Sequence, residues 1–150
     1  MPQFTVFVHA FGTVGLARTL RAARIASDIL VIHDGDPGVE RLCLRYGARD
    51  KTQIPGVTLG AYAMDAFHPW LLLLHSGEEL SDEVQQALAE WQRRKRDDTA
   101  GYLIRTNDDG PQLRFINRSM VNWIGEDPPI PTQAGIFPGA ILRRGSQQVA

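Results

Sequence analysis

Three short apolar runs limit what this chain can become: Phe4 to Val8, Ile29 to Ile32 and Trp70 to Leu74. The first is β-branched and aromatic, the second nearly continuous, and the third unbroken, as in strands buried on both faces of a parallel sheet. Helical stripes alternate with them. After the breaks at Gly12 and Gly15, Leu16, Leu20 and Ala23 recur at helical spacing to about Arg24. His33 to Gly38 is turn chemistry, and Val39, Leu42, Cys43 and Tyr46 then share one helix face that Gly47 ends as a C-cap. Beyond the loop at Ile54 to Val57, Leu59, Tyr62, Ala63, Ala66 and Phe67 form another stripe. Ser81 is a good N-cap, with Asp82 and Glu83 in the first turn of a helix carrying Val84, Leu88 and Trp91 inward. This alternation predicts an α/β three-layer fold with a mostly parallel central sheet.

After Gly101 the pattern changes. Tyr102 to Arg105 and Gln112 to Ile116 flank Asn107-Asp108-Asp109-Gly110, a hairpin signal. Pro128 to Pro131 reads as a stiff loop and Ala140 to Arg143 as a last strand. Length of 150 residues, with 43% apolar and 22% charged content, predicts one ordered domain. A formal charge of −1 provides no global field for nucleic acid or anionic lipid. The basic run Arg93 to Arg96 meets Asp97 and Asp98 at once and reads as a solvated helix end. The single cysteine, Cys43, excludes an internal disulfide and lies on an apolar stripe, as a packing thiol does. No basic region precedes an apolar stretch at the start, and no apolar run approaches the about 20 residues of a membrane helix. The expectation is a soluble, cytoplasmic protein without a transmembrane segment.

Ligands of open α/β sheets bind beyond the carboxyl ends of the strands, here His9 to Gly12, His33 to Gly38 and His75 to Glu79. Read together, these segments resemble family-2 glycosyltransferases of the bacterial polysaccharide and lipopolysaccharide-core type. Ala26 to Gly35 is similar to the stretch that ends the family's second strand in Asp-Ser-Gly. Arg45 to Arg49 is similar to its helix end and Gly-Ala turn, and Leu72 to Ser81 to the strand carrying its acidic Asp-x-Asp-Glu motif. Ala100 to Arg105 and Ala140 to Gly145 fit two later segments. The resemblance implies a GT-A-like, Rossmann-like fold over residues 1–150, with a nucleotide-binding core at 1–99 and a hairpin and loop extension at 100–150. It places His9, Ala10, Phe11, His33, Asp34, Gly35, His75, Ser76 and Gly77 at the nucleotide site.

Three donor-site segments depart from the family. His33 stands where an Asp reads the base or ribose, with Asp34 adjacent. His75, Ser76 and Gly77 replace the Asp-x-Asp that holds Mg²⁺ or Mn²⁺ on the donor diphosphate, with Glu78 and Glu79 just after. Gly12 and Thr13 replace Asn-Glu. A late acidic pair, Glu126 and Asp127, is either the remnant of an acceptor-activating pair or a polar turn before Pro128. His9, His33 and His75 each follow a predicted strand. With Glu78 they form a candidate Zn²⁺ or Fe²⁺ set, or else His fills polar space in a decayed site. His68 reads as a surface residue, Trp70 and Trp91 as core, and Trp123 as packing in preference to sugar stacking.

The reading that uses both the retained framework and the lost acids is a non-catalytic, glycosyltransferase-like domain binding a nucleotide, a sugar or a partner protein. One alternative is an active, metal-independent transferase with Arg105, Arg114 or Arg118 on the diphosphate. Another is a scaffold subunit of a polysaccharide-synthesis complex. The cofactor stays open, a divalent metal included.

Overall fold

The computed structural model describes residues 3–107 and 109–143, so Asp108 of the hairpin turn and Arg144 and Gly145 of the last matched segment lie outside the described residues. In chain order the elements are β1 (Thr5–His9), α1 (Leu16–Ala22, extended by a 3-10 turn at Ala23–Ile25), β2 (Asp28–His33), α2 (Pro37–Tyr46) and β3 (Arg49–Thr52). There follow α3 (Leu59–Ala63), β4 (Trp70–His75), β5 (Glu78–Leu80), α4 (Asp82–Gln92), β6 (Gly101–Thr106), β7 (Gln112–Asn117) and β8 (Gly135–Arg143). The expected caps form: Asp36 Oδ1 accepts the Gly38 N–H with Pro37 opening α2, Gly47 closes it at positive φ, and Ser81 Oγ accepts the Val84 N–H.

All eight strands join one sheet in the order β3-β2-β1-β4-β7-β6-β8-β5. The expectation of a mostly parallel sheet is corrected: the sheet is mixed. Strands β3, β2, β1 and β4 run parallel, β7 is antiparallel to β4 and β6, and β8 is parallel to β6 but antiparallel to β5. The reason lies in the hairpin, which docks β7 beside β4 and so continues the sheet. Two strands went unpredicted because backbone pairing alone makes them. Strand β3 is wholly polar at an exposed edge, and β5 has three residues.

Side chains alternate between two faces. Val6, Val8, Ile29, Val31, Leu72 and Leu74 pack under α1, α2 and α4, while Phe7, Leu30, Ile32, Leu71 and Leu73 pack under α3, Val121 and Trp123. The stripe expected to reach Phe67 ends as a helix at Ala63; Ala66 is still buried, but Phe67 is exposed beneath the Arg49 guanidinium, 3.7 Å from its ring centroid. Trp70, Trp91 and Trp123 are all buried in packing, and Cys43 is buried with its thiol pushed up to about 12 by desolvation. Arg93 caps α4, so the basic run lies just beyond the helix. There Asp97 accepts hydrogen bonds from Trp91 Nε1 (3.0 Å) and the Tyr102 hydroxyl (2.5 Å), tying the helix exit to β6. None of the described helices is long and apolar enough to cross a membrane.

Candidate functional site

Strands β1, β2 and β4 end at His9, His33 and His75, at one edge of the sheet. Register decides which of them can meet. His9 lies opposite Ile32 and His75, so His33 is one residue further along and turns to the other face. The His9 and His75 rings face each other at 5.9 Å. His33 is fully buried with both nitrogens engaged: Nδ1 accepts the Gly35 N–H (3.0 Å) and Nε2 meets Asp50 Oδ2 (2.8 Å). With Nδ1 accepting, the bond to Asp50 is one that Nε2–H donates. The set His9, His33, His75 and Glu78 therefore does not converge. Among the described residues, the one group of three such side chains whose ligand atoms come within 4.8 Å of one another is His33, Glu40 and Asp50, and its imidazole is already committed.

A cleft of about 620 Å³ opens over the ends of β1, β2 and β3. His9, Ala10 and Phe11 form one wall, Asp34 another, and the stretch from Thr52 to Thr58 the third, with Glu126 above. Glu126 Oε1 accepts from Gln53 Nε2 (3.2 Å) and the Leu59 N–H (3.3 Å), which holds the loop before α3 against the later chain. Gly35 lies in the turn that fixes His33. Asp127 belongs elsewhere: it lines a second cleft of about 210 Å³ with His75, Glu78, Asn107, Arg114 and Arg143. Glu126 and Asp127 thus serve two different spaces.

The turn between β4 and β5 joins the two clefts. Ser76 Oγ accepts the Phe11 N–H (3.1 Å), the Ser76 N–H donates to His9 O (3.0 Å), and the Gly77 N–H donates to Thr19 Oγ1 (2.9 Å). Gly15 and Gly77 both have positive φ, and a Cβ on Gly15 would lie 2.6 Å from Gly77 Cα, so two backbones touch where a side chain has no room. Glu78 is buried and clamped by Arg114, Nη1 to Oε1 at 2.8 Å and Nη2 to Oε2 at 3.0 Å, while Arg114 Nη1 also donates to Leu73 O (3.0 Å).

Of the arginines expected on a diphosphate, Arg114 is consumed in this clamp, and Arg105 is exposed on β6. Arg118 lies at the opposite end of the sheet, its N–H on Pro69 O and its side chain on Met64 O. The arginine at the cleft is Arg143, which sequence reasoning placed only in a strand. The stretch from Thr52 to Thr58 was read only as a loop at Ile54 to Val57, with no part in the site, since it follows the unpredicted β3.

Burial, then the Arg114 charge, pushes the His75 imidazole down to about 4 against the pull of Glu78; the His9 and Arg143 charges oppose protonation too. Burial also holds His9 below its ordinary value, outweighing Glu126 and Gln53. Burial raises the Glu78 carboxyl, but the Arg114 hydrogen bonds and charge reverse this and hold it low. A ring whose folded pKa lies below its unfolded one takes up protons on unfolding, so acid favours the unfolded chain. Stability should fall as pH drops from about 6.5 toward 4, and the loss due to Glu78 comes only in more acidic solution. Urea unfolding across that interval should show a shallower slope for His75→Gln. An unchanged slope would assign the proton uptake to other groups.

The fold is mixed α/β and resembles that of a glycosyltransferase domain. Neither a family model nor a curated protein sequence matches the chain. Among solved structures it is similar to the glycosyltransferase TarS of S. aureus. The likeness to TarS 1-349 in complex with UDP-GlcNAc has TM-score 0.54 and 12% identity over 72% of this chain and 36% of that one. For the complex with UDP the values are TM-score 0.53 and 12% identity, over 72% and 37%. Against a further TarS structure they are 0.52 and 10%, over 71% and 22%. The likeness is one of fold, and this chain corresponds to about a third or less of the TarS chains.

Proposed function

We propose that this chain binds a nucleotide sugar in the cleft over β1, β2 and β3, as a family-2-like glycosyltransferase domain that has lost transfer chemistry. The observation that carries the reading is the cleft itself: about 620 Å³, at the carboxyl ends of parallel strands, with the exposed Asp34 carboxylate facing it. A carboxylate there accepts hydrogen bonds from a base N–H or ribose hydroxyls. Uridine nucleotides are the first candidates because the fold is shared with a protein solved with UDP and UDP-GlcNAc. The separation of Glu126 from Asp127 supports a binding role, since the pair that would activate an acceptor does not face one space.

Titration calorimetry and thermal shift with uridine, UDP, UDP-GlcNAc and GDP test this. UDP should raise the melting temperature, and Asp34→Ala should weaken binding about tenfold, the loss of one charged hydrogen bond. UDP-GlcNAc should persist without release of UDP. Binding of no nucleotide would sink the proposal and leave the scaffold alternative. One observation favours a second reading, an active transferase without metal: Arg143 stands at the second cleft. Turnover of UDP-GlcNAc in chelator would select it.

A further inference from the structure

The resemblance implies a divalent cation held by carboxylates after β4, and the residues there do not fit one. A hard cation needs oxygen donors free to bind it. Both Glu78 oxygens are taken: Oε1 accepts the His75 N–H (2.6 Å) and Arg114 Nη1, and Oε2 accepts Arg114 Nη2 with Arg143 Nη2 at 3.6 Å. A metal would have to displace one guanidinium and sit against another. Ser76 Oγ holds the Phe11 N–H, and Glu79 pairs with Arg18 Nε at 3.6 Å. Asp109 and Asp127 line the same cleft, yet among the described residues they form no close three-ligand group with Glu78 or His75.

We propose that Arg143 takes the place of the metal: its guanidinium anchors the phosphate end of a nucleoside diphosphate ligand, so binding needs no divalent cation. This rests on the nucleotide reading above. Arg143 ends β8 and lines the second cleft, with its side chain 39% exposed. Its Nη1 donates to Ser76 O (3.3 Å), which fixes it on the turn where the metal motif is expected. Arg114 makes the two short bonds to Glu78, and Arg143 stands at the longer 3.6 Å from the same carboxylate, where a phosphate can compete for it. His9, in the nucleotide cleft, faces His75, in the second, so a ligand leaving the first cleft over these rings arrives beside Arg143. A planar guanidinium pairs with phosphate through two parallel hydrogen bonds. Asp109, held by Gln112 Nε2 (3.3 Å), and Asp127 add negative charge to the lining and suit the hydroxyls of an attached sugar better than further phosphate.

Calorimetry of the whole chain with uridine, UDP and pyrophosphate, in chelator and in Mn²⁺, tests the assignment. UDP should bind equally in both solutions. Arg143→Ala should lower UDP affinity about tenfold or more, to the level of uridine, leaving uridine binding unchanged, because only the charged phosphate contacts are lost. Arg143→Lys, which keeps the charge, should lose less and decides the matter should the alanine variant not fold. A requirement for Mn²⁺, or wild-type UDP affinity in a folded Arg143→Ala, overturns the assignment. If neither uridine nor UDP binds the parent, the nucleotide reading fails. Pyrophosphate binding abolished in Arg143→Ala would then still support Arg143 as a phosphate anchor, and its absence would overturn that too.

Discussion

Arg114→Ala is expected to lower stability by about 3–5 kcal/mol, because it strips the buried Glu78 carboxylate of its two short guanidinium bonds and leaves only the longer Arg143 contact. Side-chain exposures of 4% for Arg114 and 5% for Glu78 leave no water to take over. Domains of this size hold only about 5–15 kcal/mol in total, so the melting temperature should fall on the order of 10 °C. The cost belongs to the orphaned charge more than to the worth of the pair. Arg114→Met combined with Glu78→Leu should therefore recover most of the loss, since well-packed apolar replacements of buried ion pairs are often neutral. Denaturant melts of both variants check this. A single variant within 1 kcal/mol of the parent, or a double variant as weak as the single, would mean that solvent reaches this pair.

The second large effect is expected at Phe115, at about 3–5 kcal/mol for Phe115→Ala. Its ring is fully buried among rings of four other segments: Phe4 at 5.5 Å, Trp70 and Trp91 at 4.8 Å, and Phe137 at 5.5 Å between centroids. These contacts join the amino-terminal strand, β4, α4 and β8 across the seam where the sheet changes from parallel to antiparallel. Edge-on and tilted ring pairs each add to area burial, so truncation removes contacts and opens a cavity together. Chemical denaturation followed by tryptophan fluorescence reads both, since Trp70 and Trp91 border the void. Phe67→Ala, at an exposed ring, is the contrast and should cost about 1 kcal/mol or less, near the worth of its cation–π contact.

What could be read from the sequence was whatever side-chain period encodes. Ile29 to Ile32 and Trp70 to Leu74 announce buried strands because every position is apolar, and the caps at Asp36, Gly47 and Ser81 form as their chemistry requires. Arg49 to Thr52 carries no such signal: its strand character comes from backbone bonds to β2, and with it the wall from Thr52 to Thr58 stayed hidden. The three histidines were placed correctly at strand ends, but a one-residue offset in register decides which face a side chain takes, and no single strand reveals its register. The fate of Arg114 was unreadable for the same reason. Its neighbour Glu78 is brought to it by the pairing of β7 with β4, across 36 positions of sequence.

The glycine turn after β4 bears on how such a site could change over evolutionary time. Placing an acidic residue at Gly77 would demand a side chain on backbone at φ +93°, a strained conformation. Its Cβ would lie 3.6 Å from Arg143 Nη1, so a new aspartate would be neutralised on arrival by that guanidinium. A carboxylate at this turn would thus meet two obstacles at once, a strained backbone and a guanidinium already in place, which couples what residue 77 can be to what residue 143 is.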